Sequence, residues 1–175
     1  MESKPHESYY RANAANWRGS LEYELTDWAA FRACSMGLLD RLRVLFMAYG
    51  PKLLGRFTIE TSVTVSVGAA QGDVVHTTRI SKFGVALMRG VEWVTLSDNG
   101  TSATFRCEHR EGPNFWHVRR FSGQAEVAQD ALSASYTFYP WYGTTLHQTG
   151  KICGAETHLV QRTPWFQGVQ RLRRV

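Results

Sequence analysis

The side chains able to do chemistry in this chain are histidines, strand arginines and aromatics, and they form no catalytic signature. His76, His109, His117, His147 and His158 show no HExxH pattern and no adjacent pair with metal-binding spacing, so no metal site is expected. A single axial histidine would serve a haem-binding barrel, but nothing in the spacing selects which, and the cofactor stays unknown. Cys34, Cys107 and Cys153 cannot all pair within the chain and include no CxxC, and their apolar neighbours mark them as small buried hydrophobes. Arginines within strands say more, because a strand guanidinium either faces water or meets an anion inside. Arg79, Arg89, Arg106, Arg119, Arg120 and Arg162 all qualify. In VALMRGVEW, Arg89 alternates onto the same face as Val85, Leu87, Val91 and Trp93. Arg89 is therefore expected to point inward and meet the polar, anionic end of a ligand, with Trp93 beside it. Arg120 shares a face with Trp116 and Val118 and repeats the pattern more weakly, while Arg79 lies opposite His76, Thr78 and Ile80.

The aromatic run SYTFYPWYG places Tyr136 and Phe138 on one face and Tyr139 on the other, with Trp141 and Tyr142 beyond Pro140 at the strand end. Tyr136 and Phe138 are expected to line the ligand site, and Trp141 and Tyr142 to seal a rim. An enzyme using the same space would recruit Tyr136, His147 or Glu92 for acid-base work, yet no carboxylate pair or nucleophile-base spacing makes that specific, and no catalytic residue is assigned.

The elements that must position these groups follow from periodicity. In RGSLEYELTD, Leu21, Tyr23 and Leu25 alternate with polar residues, as in a half-buried strand. Thr26 and Asp27 suit the N-cap of a helix starting at Trp28, and Gly37 breaks it. The stretch GLLDRLRVLFMAYGPKLLG then sets Leu38, Leu42, Leu45, Phe46 and Tyr49 at helical spacing, and Gly50-Pro51 is expected to end that helix. From Arg56 onward the period is two. Phe57, Ile59, Val63, Val65 and Val67 share one face, and the turns SDNG and Gly112-Pro113-Asn114 join later strands. About nine strands follow the helical pair, a tally that favours closure over an open sheet. The fold expected is mainly β, a closed antiparallel up-and-down barrel of about ten strands with a helix-turn-helix cap at about residues 27–50. The segment before Trp17 reads as an arm or short helix of unassigned role.

This order resembles the fatty-acid-binding branch of the calycin superfamily, in which a helical pair after the first strand lids a barrel of about ten strands. Trp17-Arg18-Gly19 is similar to the calycin Gly-x-Trp opening with the order reversed. The family's C-terminal Arg-x-Tyr carboxylate pair has no counterpart in VQRLRRV. The resemblance implies that the barrel interior binds or carries a hydrophobic small molecule, one that can bear an anionic group, with Leu42 and Phe46 of the cap over it. Its alternatives are a cyclase or isomerase acting on a hydrophobic substrate in that cavity, and a nitrobindin-like haem barrel; whether the protein is an enzyme is left open. A START-like helix-grip fold shares the early order but ends in a long helix. Pro164, Gly168 and the alternation of the terminal segment argue against one here.

Composition narrows the classes further. At 175 residues with no linker, one domain spanning 1–175 is expected. Aromatic residues make up 13% of the chain, enough large apolar area to wall a cavity. The net charge of +5 is spread along the chain apart from the RLRR of Arg171 to Arg174, so a nucleic-acid partner is not expected. Arg41, Arg43, Lys52 and Arg56 permit transient contact with an anionic membrane surface. No signal peptide and no run of about 20 apolar residues is seen, and a soluble cytoplasmic protein of undetermined oligomeric state is expected.

Overall fold

The computed structural model describes residues 4–66, 72–112 and 117–175. Ten strands form a closed barrel: β1 (Asn16–Leu25), β2 (Phe57–Val65), β3 (Val74–Lys82), β4 (Val85–Leu96), β5 (Ser102–Glu111), β6 (His117–Val127), β7 (Ser133–Trp141), β8 (Thr144–Cys153), β9 (Glu156–Arg162) and β10 (Phe166–Arg174). Each strand pairs antiparallel with its sequence neighbours, and β1 closes the ring by pairing with β10 from Trp17 opposite Arg174 to Leu25 opposite Phe166. Closure leaves no edge strand to template aggregation. With β10 paired to both β9 and β1, the sheet is a closed ring rather than an open sheet gripping a helix, which excludes the helix-grip alternative.

The three helices, α1 (Pro5–Asn13), α2 (Trp28–Ala33) and α3 (Leu38–Leu54), cover the two ends of the barrel. No helix among the described residues is long and apolar enough to cross a membrane. Helix α1 precedes β1 and packs on β2 and β6. It buries Tyr9 and Tyr10 completely and holds its place by polar contacts to the β4–β5 turn: the His6 N–H donates to Gly100 O (3.1 Å), and Lys4 Nζ donates to Asp98 O (2.9 Å). Trp17 Nε1 donates to Asn13 O (2.9 Å), tying the end of α1 to the first strand. The segment that sequence left without a role is thus the barrel's floor.

Helices α2 and α3 cover the opposite end, the mouth. Asp27 caps α2 by accepting from the Ala30 N–H (2.9 Å). Arg41 of α3 reaches back to the C-terminal carbonyls of α2, donating to Phe31 O (2.9 Å) and Cys34 O (2.7 Å). Those carbonyls lack intrahelical partners, so one side chain both caps α2 and fixes the angle between the helices. The expected stop at Gly50-Pro51 is not observed, and α3 continues through Pro51 to Leu54. A side chain at Gly50 would come within 3.0 Å of the Phe57 ring, so the helix rests on the barrel there; the actual stop is Gly55, at φ 79°.

Candidate functional site

Inside the barrel, successive inward residues of β3, β4 and β5 form level rungs. From floor to mouth they run Val74, Val94, Phe105; then His76, Glu92, Cys107; then Thr78, Gly90, His109; then Ile80, Met88, Glu111. The first rung is apolar core, with Val74 and Val94 fully buried. Above it opens a cavity of about 440 Å³, bounded by these strands, by Tyr136 and Phe138 of β7, by Gln148 and Gln161 across the barrel, and by Leu42, Arg43 and Phe46 of α3 at the mouth.

Deep in the cavity, Glu92 Oε1 lies 3.4 Å from His76 Nδ1, and the Cys107 thiol donates to Glu92 Oε2 at 3.4 Å. Burial drives the His76 pKa down against a smaller opposing pull from Glu92, so the imidazole is neutral. Burial, reinforced by Glu92, pushes the Cys107 thiol up and keeps it protonated. Tyr10 lies beneath, its ring 5.9 Å from that of His76, and the Tyr136 hydroxyl donates to that of Tyr9 at 3.3 Å. Burial raises all three tyrosines, so they act as neutral hydroxyls.

One rung higher, His109 stacks edge-on against Phe121 (4.6 Å) and lies over Gly90, where an added Cβ would sit 2.7 Å from the ring. Glycine at position 90 is what makes room for the imidazole. Burial, then the nearby Arg119 charge, lowers the His109 pKa to about 4, so it too is neutral near pH 7.

At the mouth, α3 is latched to the barrel. Arg43 Nη1 and Arg119 Nη2 both donate to Asp40 Oδ1, Arg43 Nε lies 3.5 Å from Glu111 Oε2, and the Tyr142 hydroxyl donates to Glu111 Oε1 at 3.2 Å. The Arg119 guanidinium stacks 3.9 Å from the centroid of the Tyr142 ring. Arg43, Arg119 and Glu111 are mostly buried, so this network is less screened than a surface ion pair. Arg41 and Arg43, which the sequence offered for contact with a membrane surface, are engaged within the fold: Arg41 caps α2 and Arg43 borders the cavity.

The residues expected to line a ligand site divide. Leu42, Phe46, Tyr136 and Phe138 meet at the cavity. Arg89 does not: it is exposed on the outer face, and Met88, Gly90, Glu92 and Val94 are the inward set of β4. Trp93 is also outward, with Arg106 5.3 Å from its ring, and Arg120 is outward with its guanidinium on Glu108 at 3.2 Å. Trp116 lies outside the described residues. The inversion in β4 has a physical cause. At its centre the inner face carries Gly90 and Glu92 and the outer face carries Arg89 and Trp93, so apolarity pointed to the wrong side there, although Leu87 and Val91 both border the cavity. The register also shifts at Ile80/Ser81, which breaks strict alternation near the mouth. Arg79, Arg106 and Arg162 face solvent, and Arg119 is the strand arginine drawn into the rim. Of the acid-base candidates, Glu92 and Tyr136 are inside, whereas His147 is outside against Thr137. His76 and His109 are the described histidines that border the cavity. Sequence named His109 among five histidines without selecting it, and the one signal that distinguishes it is the glycine directly across the ladder.

No protein-family model matches the chain, and no curated protein matches it in sequence. The ten-stranded closed barrel with a short helical cap is consistent with a calycin-like fold on architecture alone.

Proposed function

We propose that this protein is a calycin-type binding protein that takes up a hydrophobic small molecule in the barrel cavity. The observation that carries the reading is the cavity itself: about 440 Å³, walled mainly by apolar and aromatic side chains, with a few convergent polar groups and a mouth covered by a helix. That volume and chemistry suit a small-molecule site. Arg89, the ground for expecting an anionic head group, faces outward, so the reading rests on the apolar wall. Native mass spectrometry of the purified protein, followed by titration with a neutral environment-sensitive fluorophore, tests it. Thr78→Phe, which fills the cavity from β3, is expected to abolish fluorophore binding, and Arg89→Met to leave it unchanged. Equal binding by the parent and Thr78→Phe would place the ligand elsewhere.

A carrier in the cytoplasm must also load and unload, and we propose that the mouth end touches anionic membranes to do so. The outer side of α3 exposes Leu38 and Leu53, and Phe83 in the β3–β4 turn is 82% exposed beside Lys82, whose Nζ lies 4.6 Å from its ring. Lys52 lies over Tyr49 on the same helix. Apolar side chains flanked by lysines favour an anionic interface. Co-sedimentation with phosphatidylglycerol vesicles is expected for the parent and is expected to drop for Phe83→Glu with Leu53→Glu; no binding by the parent would refute the contact.

A further inference from the structure

The charges bordering the cavity do not balance, and the imbalance identifies the kind of head group it takes. Among the described residues, the charged side chains lining it are Arg43, Glu111 and Glu92. Arg43 and Glu111 face each other at the mouth, 3.5 Å apart, within the latch to Asp40 and Arg119. Glu92 lies two rungs deeper. Its contacts are the His76 imidazole and the Cys107 thiol, both neutral, and its side chain keeps 16% of its surface open. Residues 67–71 and 113–116, the internal stretches not described, contain no Lys or Arg. A carboxylate inside a barrel with no lysine or arginine beside it is costly, and its charge is less screened than at the surface.

We propose that Glu92 is the head-group subsite of the cavity and that it receives a protonated amine on an apolar body, an alkylammonium ligand, in place of the carboxylate typical of fatty-acid carriers. This inference rests on the proposed binding function. The ammonium supplies the missing cation and donates to Glu92, a charge-assisted hydrogen bond of the stronger class. His109, neutral and one rung toward the mouth, presents an imidazole to the same wall and offers a second polar contact without repelling a cation. The Gln148 to Gln161 contact across the barrel (2.7 Å) adds neutral polarity on the far side. A fatty carboxylate placed head-first would face Glu92 with like charge, and the nearest lining guanidinium, Arg43, is already shared between Asp40 and Glu111.

The experiment compares dodecylamine, dodecanol and dodecanoate, which share one alkyl chain, by titration calorimetry at pH 7.5 below their aggregation thresholds. The parent is expected to bind dodecylamine at least about tenfold more tightly than dodecanol, one charged hydrogen bond being worth about that factor or more, with dodecanoate weakest. Glu92→Gln is expected to bring the amine to the level of the alcohol, and Arg89→Met on the outer face to preserve the parent's order. Dodecanoate binding as tightly as the amine, or amine and alcohol binding equally to the parent, overturns the subsite while the alcohol's binding keeps the cavity reading intact. The parent's ranking decides this even if Glu92→Gln fails to fold. If none of the three binds, the cavity reading falls and the subsite with it.

Discussion

At the scale of single residues, the interior wall is defined by groups kept neutral where water would charge them. His109 shows the consequence for stability. Its pKa falls from about 6.5 in the unfolded chain to about 4 in the barrel, so between those values the unfolded state binds the extra proton. Its contribution is fully present above pH 6.5 and is lost as pH falls toward 4. His76, lowered by the same burial, acts in the same direction. Between pH 7 and 5 the His109 term alone predicts a loss of about 2 kcal/mol of unfolding free energy. Urea unfolding across that range is expected to show the decline, and His109→Gln to flatten it. An unchanged slope in the variant would mean that the imidazole is hydrated in the folded protein. Gly90→Ala tests the packing behind this: the new Cβ must push the ring toward the cavity, and ligand affinity is expected to fall with little change in secondary structure by circular dichroism. The inner faces of β2 and β7 were legible because Phe57, Ile59 and Val63, and again Tyr136 and Phe138, make the interior the apolar side. That of β4 was not legible, because Gly90 and Glu92 are placed by what they do inside, against the alternation that hydrophobic burial alone would write.

At the scale of elements, the barrel has one closed end and one latched end. The floor depends on Tyr9 and Tyr10, both fully buried where α1 meets the strands. Truncating a buried aromatic leaves a cavity as well as losing transfer energy, so Tyr9→Ala is expected to cost about 3–5 kcal/mol in denaturant unfolding. A loss below about 1 kcal/mol would show that α1 is a removable arm. The mouth behaves differently, because its polar latch joins Asp40 and Arg43 of α3 to Arg119, Glu111 and Tyr142 of the barrel. Arg119→Met keeps much of the stem packing and removes the guanidinium from both Asp40 and Tyr142. Stopped-flow release of the neutral fluorophore is expected to quicken severalfold in this variant, with a smaller change in equilibrium affinity if α3 gates passage more than it contacts the ligand. Unaltered release would place the route elsewhere. Sequence showed the helical pair and its order but stopped α3 at Gly50-Pro51. The helix persists because Gly50 packs against Phe57, the first residue of β2, a packing contact that helix-stop residues alone do not register. The role of α1 was equally hidden, since polar residues dominate its sequence and only the closed barrel makes an end that Tyr9 and Tyr10 can plug.

At the scale of the whole molecule, a ten-stranded ring is larger than its own side chains fill, and the uncovered interior is where ligand and fold become linked. The aromatic seal at the mouth, with Trp141 stacked 5.8 Å from Trp165 and 5.2 Å from Phe166, keeps part of that interior from water. The rest depends on what occupies it. A ligand that binds only the closed barrel stabilises it by mass action, by about 2.7 kcal/mol at a free concentration of one hundred times Kd. For a chain of this size that is a rise in Tm of about 5–10 °C. Removal of co-purified ligand by extraction is therefore expected to lower Tm, and addition of the amine that fits Glu92 to restore it. Thr78→Phe is expected to raise the Tm of the empty protein relative to the emptied parent, because the new ring covers apolar wall that is otherwise bare, and to make Tm insensitive to the amine. A parent whose Tm ignores both extraction and ligand would show that the cavity is closed in solution and that the fold neither needs nor admits an occupant.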